Sequence, residues 1–191
     1  MSVPMLLTWL RVAMIPLCVV VFYLPLPWAH PAAAGVFAVA GLTDWFDGYL
    51  ARRLGQTSAF GAFLDPVADK LMVATALVLI VDATARHAAP VYGMTVAVSA
   101  VAIIGRELII SALREWMATL GASARVAVSQ VGKVKTTLQM VALTVLLYEQ
   151  PIFGISPLLT GVLLLVGAAL LTLWSMVQYL RAAWPTLRAG D

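Results

Sequence analysis

Apolar residues fill long stretches of this chain, and polar residues fall between those stretches instead of alternating with single apolar positions. A half-exposed strand would show a period of two, whereas about 20 consecutive, mostly apolar residues read as a helix that spans a bilayer. Six such stretches are separated by proline, glycine or charge: Arg11 to Trp28, Ala33 to Leu54, Gly61 to Asp82, Pro90 to Trp116, Ser129 to Tyr148 and Pro157 to Leu180. The pattern predicts an all-α integral membrane protein with six transmembrane helices. The preceding stretch MSVPMLLTWLR, with Trp9 and Arg11 among apolar residues, is expected to lie along the interface as an amino-terminal helix.

Composition agrees. Of the 191 residues 62% are hydrophobic and 11% charged, and the mean hydropathy is +0.97, which excludes an ordinary soluble domain. No internal repeat or linker divides the chain, so residues 1–191 read as one membrane-embedded domain. The first apolar run lacks a basic start and a small-residue cleavage site, so the amino terminus is expected to be retained. Arg11, Arg52, Arg53, Arg114, Arg125, Lys133, Lys135, Arg181 and Arg188 all fall on one side of a six-span topology, and the opposite connections hold only Arg86. By the positive-inside rule both termini face the cytoplasm. The single Cys18 sits in an apolar run and excludes a disulfide framework. His30 and His87 read as loop residues and Trp9, Trp28, Trp174 and Trp184 as interfacial anchors. No nucleic-acid partner is expected.

Against this background, the segment TDWFDGYLARRLGQTSAFGAFLDPVADK holds four of the nine acidic residues. Asp44 and Asp47 are three apart and Asp65 and Asp69 four apart, so each pair stacks on one face of its helix. A short turn, Gly55 to Phe60, makes the two helices antiparallel neighbours, with Asp47 and Asp69 each about 12 Å from the turn at 1.5 Å per residue. Four close carboxylates inside a membrane are unstable unless they are protonated or bind cations. Carboxylate oxygens suit two divalent cations, Mg²⁺ or Mn²⁺, and the absence of His and Cys argues against zinc. Two-metal sites hold phosphate oxygens. Gly48 and Ala51 leave room for a ligand beside Asp44 and Asp47, Arg52 reaches a phosphate at the rim, and Gly61 keeps the second helix slim at the mouth. Pro66 fits only if that helix starts near Gly61. Two rival readings are salt bridges to Arg52, Arg53 or Lys70, and the ion path of a coupled transporter.

The segment fills the pattern DxxDGxxAR, eight residues, then GxxxDxxxD with Asp44, Asp47, Gly48, Ala51, Arg52, Gly61, Asp65 and Asp69. It resembles the signature of the CDP-alcohol phosphotransferases, membrane enzymes of phospholipid synthesis. The resemblance implies six transmembrane helices, a homodimer, and transfer of a substituted phosphate from a CDP-linked donor to an alcohol with release of CMP. The phrases PMLLTWLRVAMIP, TDWFDGYLARR, FGAFLDPVADK, RELIISALREWMA and GKVKTT closely resemble bacterial members whose donor is CDP-diacylglycerol and whose acceptor is glycerol 3-phosphate. Met5 stands where many members have Asn. The implied place is the bacterial inner membrane, with the active site facing the cytoplasm.

The resemblance assigns metal binding to Asp44, Asp47, Asp65 and Asp69, the CDP moiety to Asp44, Gly48, Ala51, Arg52 and Gly61, and the general base to Asp69. Spacing alone does not separate a base from a fourth metal ligand. A dianionic acceptor needs a basic pocket, and Arg106, Arg114, Lys133 and Lys135 are the candidates. Arg106 lies deep in its span, where the competing reading is a salt bridge to Glu107 or Asp82. Inositol phosphate, serine or phosphatidylglycerol is the alternative acceptor within the same family.

Overall fold

The computed structural model describes residues 3–54, 59–120, 130–151 and 154–189; within these, the side chains of residues 3–5, 44–54, 59, 60, 62, 130–133 and 185–189 fall outside the description. The described residues form six helices: α1 (Val3–Phe22), α2 (Ala29–Leu54), α3 (Ala59–His87), α4 (Pro90–Thr119), α5 (Gln130–Tyr148) and α6 (Pro157–Ala189). Pro25 and Pro27 end α1 at Phe22, short of Trp28, because the residue before a proline is pushed out of the helical region. Pro90 and Pro157 open α4 and α6, where a missing N–H costs nothing.

Two features differ from the sequence expectation. The amino-terminal stretch is continuous with α1 from Val3 onward, so the helix itself carries Trp9 and Arg11 toward the bilayer edge. Pro66 lies inside α3, about two turns beyond its start at Ala59, and the carbonyl of residue 62 therefore loses its helical N–H partner. Membrane helices tolerate such prolines where neighbouring groups satisfy the freed carbonyl.

The helices pack as a closed ring in the order α2, α1, α3, α4, α6, α5 and back to α2, with α3 also reaching α5. α2 and α3 touch, as their short connection requires, but α1 packs more extensively against each of them. The core runs through all six: Cys18 of α1, Phe37 of α2, Leu77 and Ile80 of α3, Ile103 of α4, Leu143 and Leu147 of α5 and Leu165 of α6. Small residues bring backbones close, as in membrane bundles generally: Ala33, Ala34, Ala76, Ala142 and Ala168 are all buried. At Gly161 an added Cβ would stand 2.5 Å from Cγ of Leu146, so this glycine is the notch into which α5 fits.

The outer surface is as apolar as the core. Val101 is 73% exposed, Met94 and Phe63 66%, and Leu163 and Leu170 64%, an apolar exposure that a monomeric protein in water does not sustain. Pro90–Thr119 and Pro157–Trp184 are long and apolar enough to cross a bilayer, and Leu6–Phe22, Ala29–Thr43 and Val134–Tyr148 are shorter apolar stretches.

Candidate functional site

α3 presents Asp65 and Asp69 one turn apart, both partly buried. The hydroxyl of Thr8 on α1 donates to Oδ1 of Asp65. Arg11, one turn further along α1, is only 1% exposed. α1 therefore supplies a polar edge to the acidic site, a contribution that reading the chain did not identify: Arg11 was counted there only as a cytoplasmic anchor. Its signal is the pair Thr8 and Arg11, three apart and so on one helix face, in an otherwise apolar run.

α2 runs as helix through Asp44, Asp47, Gly48, Ala51 and Arg52, so their spacing is helical spacing, while their side chains lie outside the described residues. Gly61 stands in the first turn of α3. Among the described residues no three His, Cys, Asp or Glu side chains gather as a metal site, and Asp65 and Asp69 are the described half of the expected four. Their chemistry fits a hard divalent cation. Both donors are carboxylate oxygens, and a hydroxyl bond to Oδ1 orients Asp65.

Asp69 also lines a cavity of about 340 Å³ between α3, α4, α5 and α6. Three of the four sequence-selected cations reach it: Arg106 and Arg114 from α4 and Lys135 from α5. The side chain of Lys133 lies outside the described residues. Arg106 is 7% exposed; its Nη1 donates to Oε1 of Glu107 at 2.8 Å and its Nη2 to Oγ of Ser175 at 3.0 Å. Lys135 donates to the same Glu107 oxygen, also at 2.8 Å. Arg114 donates to the Tyr179 hydroxyl at 3.0 Å. The Tyr179 ring has the Arg106 guanidinium 5.5 Å and the Arg114 guanidinium 5.3 Å from its centre, a double cation–π contact.

Of the two salt-bridge partners weighed for Arg106, Glu107 is the one found. Asp82 is engaged at the other end of the bundle, accepting from Arg86 Nε at 2.9 Å and from the Tyr23 hydroxyl at 2.7 Å. The Glu107 pair does not use up the cations. One carboxylate oxygen serves both Arg106 and Lys135, and Arg106 Nε has no acceptor among the described residues. Lys70, considered from sequence as a rim partner for the acids, instead donates to Ser111 at 2.5 Å, and Ser111 donates to the Glu107 carbonyl at 2.6 Å. With Asp69 and Glu107 set against Lys70, Arg106, Arg114 and Lys135, the cavity wall carries a formal excess of two positive charges. That excess matches a phosphate dianion.

Ser175 and Tyr179 were not singled out from sequence. With Thr172 they form a stripe at spacings of three and four on an otherwise apolar helix, and all three are buried. That stripe is a legible signal, because polar groups buried in a span need partners.

Residues 1–177 match the family described as CDP-alcohol phosphatidyltransferase. The chain belongs to this family. Similar proteins include three named CDP-diacylglycerol--glycerol-3-phosphate 3-phosphatidyltransferase, from Salmonella choleraesuis (strain SC-B67), Escherichia coli (strain K12) and Shigella flexneri serotype 5b (strain 8401). Each is 54% identical over 182 residues, which is 95% of this chain and 94% of the relative. CDP-alcohol phosphatidyltransferases are generally metal-dependent, in keeping with the oxygen donors of Asp65 and Asp69. Membership also accounts for an all-helical protein with an apolar exterior.

Proposed function

We propose that this protein transfers the phosphatidyl group of CDP-diacylglycerol to glycerol 3-phosphate, giving phosphatidylglycerophosphate and CMP. The observation that carries this reading is the cavity that Asp69 lines together with Arg106, Arg114 and Lys135, a carboxylate beside an excess of positive charge. The names of the relatives support the same donor and acceptor.

The acceptor phosphate is held by Arg106, Arg114, Lys133 and Lys135. Its primary hydroxyl points to Asp69, which takes the proton as the oxygen attacks the β-phosphorus. One P–O bond forms to the glycerol oxygen. The P–O bond to the bridging oxygen breaks, and its electron pair leaves with CMP. Gly48, Ala51, Arg52 and Gly61 line the CDP moiety, with the acyl chains in the bilayer. Divalent cations, Mg²⁺ or Mn²⁺, held by Asp44, Asp47, Asp65 and Asp69 would supply neutralisation of the pyrophosphate charge. The protein works as a homodimer in the bacterial inner membrane, with the site and both termini on the cytoplasmic side.

The test is CMP release by purified protein in detergent with CDP-diacylglycerol. Release that requires glycerol 3-phosphate and Mg²⁺ or Mn²⁺, and that stops on chelation, is expected. Release with inositol phosphate, serine or phosphatidylglycerol in its place would overturn the acceptor, and no release with any of them would overturn the reaction.

A further inference from the structure

Gln139 is 4% exposed, and its carboxamide oxygen has no hydrogen-bond donor among the described residues. The oxygen is not stranded in the apolar core, because Gln139 lines the same cavity as Asp69, Arg106 and Lys135. A buried acceptor without a donor is unfavourable unless a ligand brings one.

The donors that the acceptor offers say which part of it Gln139 meets. Glycerol 3-phosphate has two hydroxyls, and its dianionic phosphate only accepts hydrogen bonds. Lys135 lies one turn before Gln139 on the same face of α5. Gln139 therefore adjoins the phosphate-binding cations in the cavity that Asp69 also lines.

We infer that Gln139 accepts a hydrogen bond from the non-reacting secondary hydroxyl of the acceptor and so selects phosphorylated polyols over phosphorylated simple alcohols. The inference rests on the acceptor reading above. A molecule with its phosphate among Lys135, Arg106 and Arg114 and its primary hydroxyl at Asp69 has its middle carbon between them. A hydroxyl there finds Gln139 as its unused acceptor. Gln139 is a specificity residue in this scheme, since the proton of the reacting hydroxyl goes to Asp69.

The experiment compares glycerol 3-phosphate with 3-hydroxypropyl phosphate, which keeps the phosphate and the primary hydroxyl and lacks the secondary one. CMP release by the full-length protein in detergent is measured for each, in wild type and Gln139→Leu. Wild type should favour glycerol 3-phosphate by about 10- to 100-fold in kcat/KM, and Gln139→Leu should reduce that ratio to about threefold or less. The ratio is internal to each protein, so a general loss of folded enzyme does not move it. Equal use of both acceptors by wild type overturns the inference even if no variant can be purified, as does a preference undiminished in Gln139→Leu. Absence of CMP release from wild type with either acceptor would instead remove the acceptor reading and this inference with it.

Discussion

Replacing Arg106 with lysine keeps a charge in the cavity and removes the planar fork. The guanidinium now spends one nitrogen on Glu107, one on Ser175, and leaves Nε without an acceptor; an ammonium reaches one of these positions at a time. Losing one charge-assisted contact to the acceptor phosphate removes about 1.5–3 kcal/mol, or about 10- to 150-fold in kcat/KM for glycerol 3-phosphate. The structural cost is smaller. Glu107 keeps Lys135 at 2.8 Å, so what is lost is about 1 kcal/mol for the Ser175 bond and a similar amount for stacking on Tyr179. Arg106→Ala is a poorer probe, because emptying a buried ion-pair site costs about 3–5 kcal/mol and mixes unfolding with lost binding. The assay is CMP release with glycerol 3-phosphate varied at saturating CDP-diacylglycerol, then the reverse. The KM for glycerol 3-phosphate should rise well above any change for the lipid donor. Equal increases for both substrates would refute the phosphate-binding role and leave Arg106 as a structural brace.

Asp69→Asn should lower kcat by about 10²- to 10⁴-fold while CDP-diacylglycerol still binds, as measured by equilibrium binding in detergent; near-normal turnover would rule out the base. Thr8→Val removes the hydroxyl that orients Asp65 and should raise the Mg²⁺ concentration for half-maximal activity by about 10-fold or more. An unchanged Mg²⁺ titration would mean that Asp65 needs no such support. Gly161→Ala forces a Cβ to 2.5 Å from Leu146 Cγ and should cost about 1–3 kcal/mol through overpacking. Gly35→Ala, with nothing within 4 Å of the added carbon, should leave the half-life at elevated temperature unchanged or longer, and equal behaviour of the two variants would show that the notch is slack.

Six helices were readable because their apolar runs are broken by residues with one physical meaning each: Pro25, Pro27, Pro90 and Pro157 stop or start a helix wherever they fall. The basic cavity was readable in outline for a similar reason, since Arg106 deep in an apolar run must have a partner or a ligand. What escaped was information about which helix stands opposite which. Thr8 meets Asp65 because α1 packs against α3, and no spacing within α1 states that. Ser175 and Tyr179 meet Arg106 because α6 closes the ring onto α4. Glu107 was visible beside Arg106, but its sharing between Arg106 and Lys135 depends on α5 arriving at the same cavity. The interior position of Pro66 was misjudged because local geometry penalises it, while the packed environment of a membrane helix tolerates it.

The contacts around Asp82 give the bundle a fulcrum. Tyr23, just beyond α1, donates to Asp82 of α3 and lies under the Arg86 guanidinium, at the end away from the cavity, and nearby the Gln150 amide donates to the Pro27 carbonyl at 2.9 Å. Asp69 lies 13 residues along α3 from this clasp, a lever arm of about 20 Å. A tilt of about 5° about the clasp would carry Asp69 through about 1.7 Å, comparable to the difference between a hydrogen bond and an open gap. A rotation of a few degrees at the clasped end thus becomes an ångström-scale displacement at Asp69.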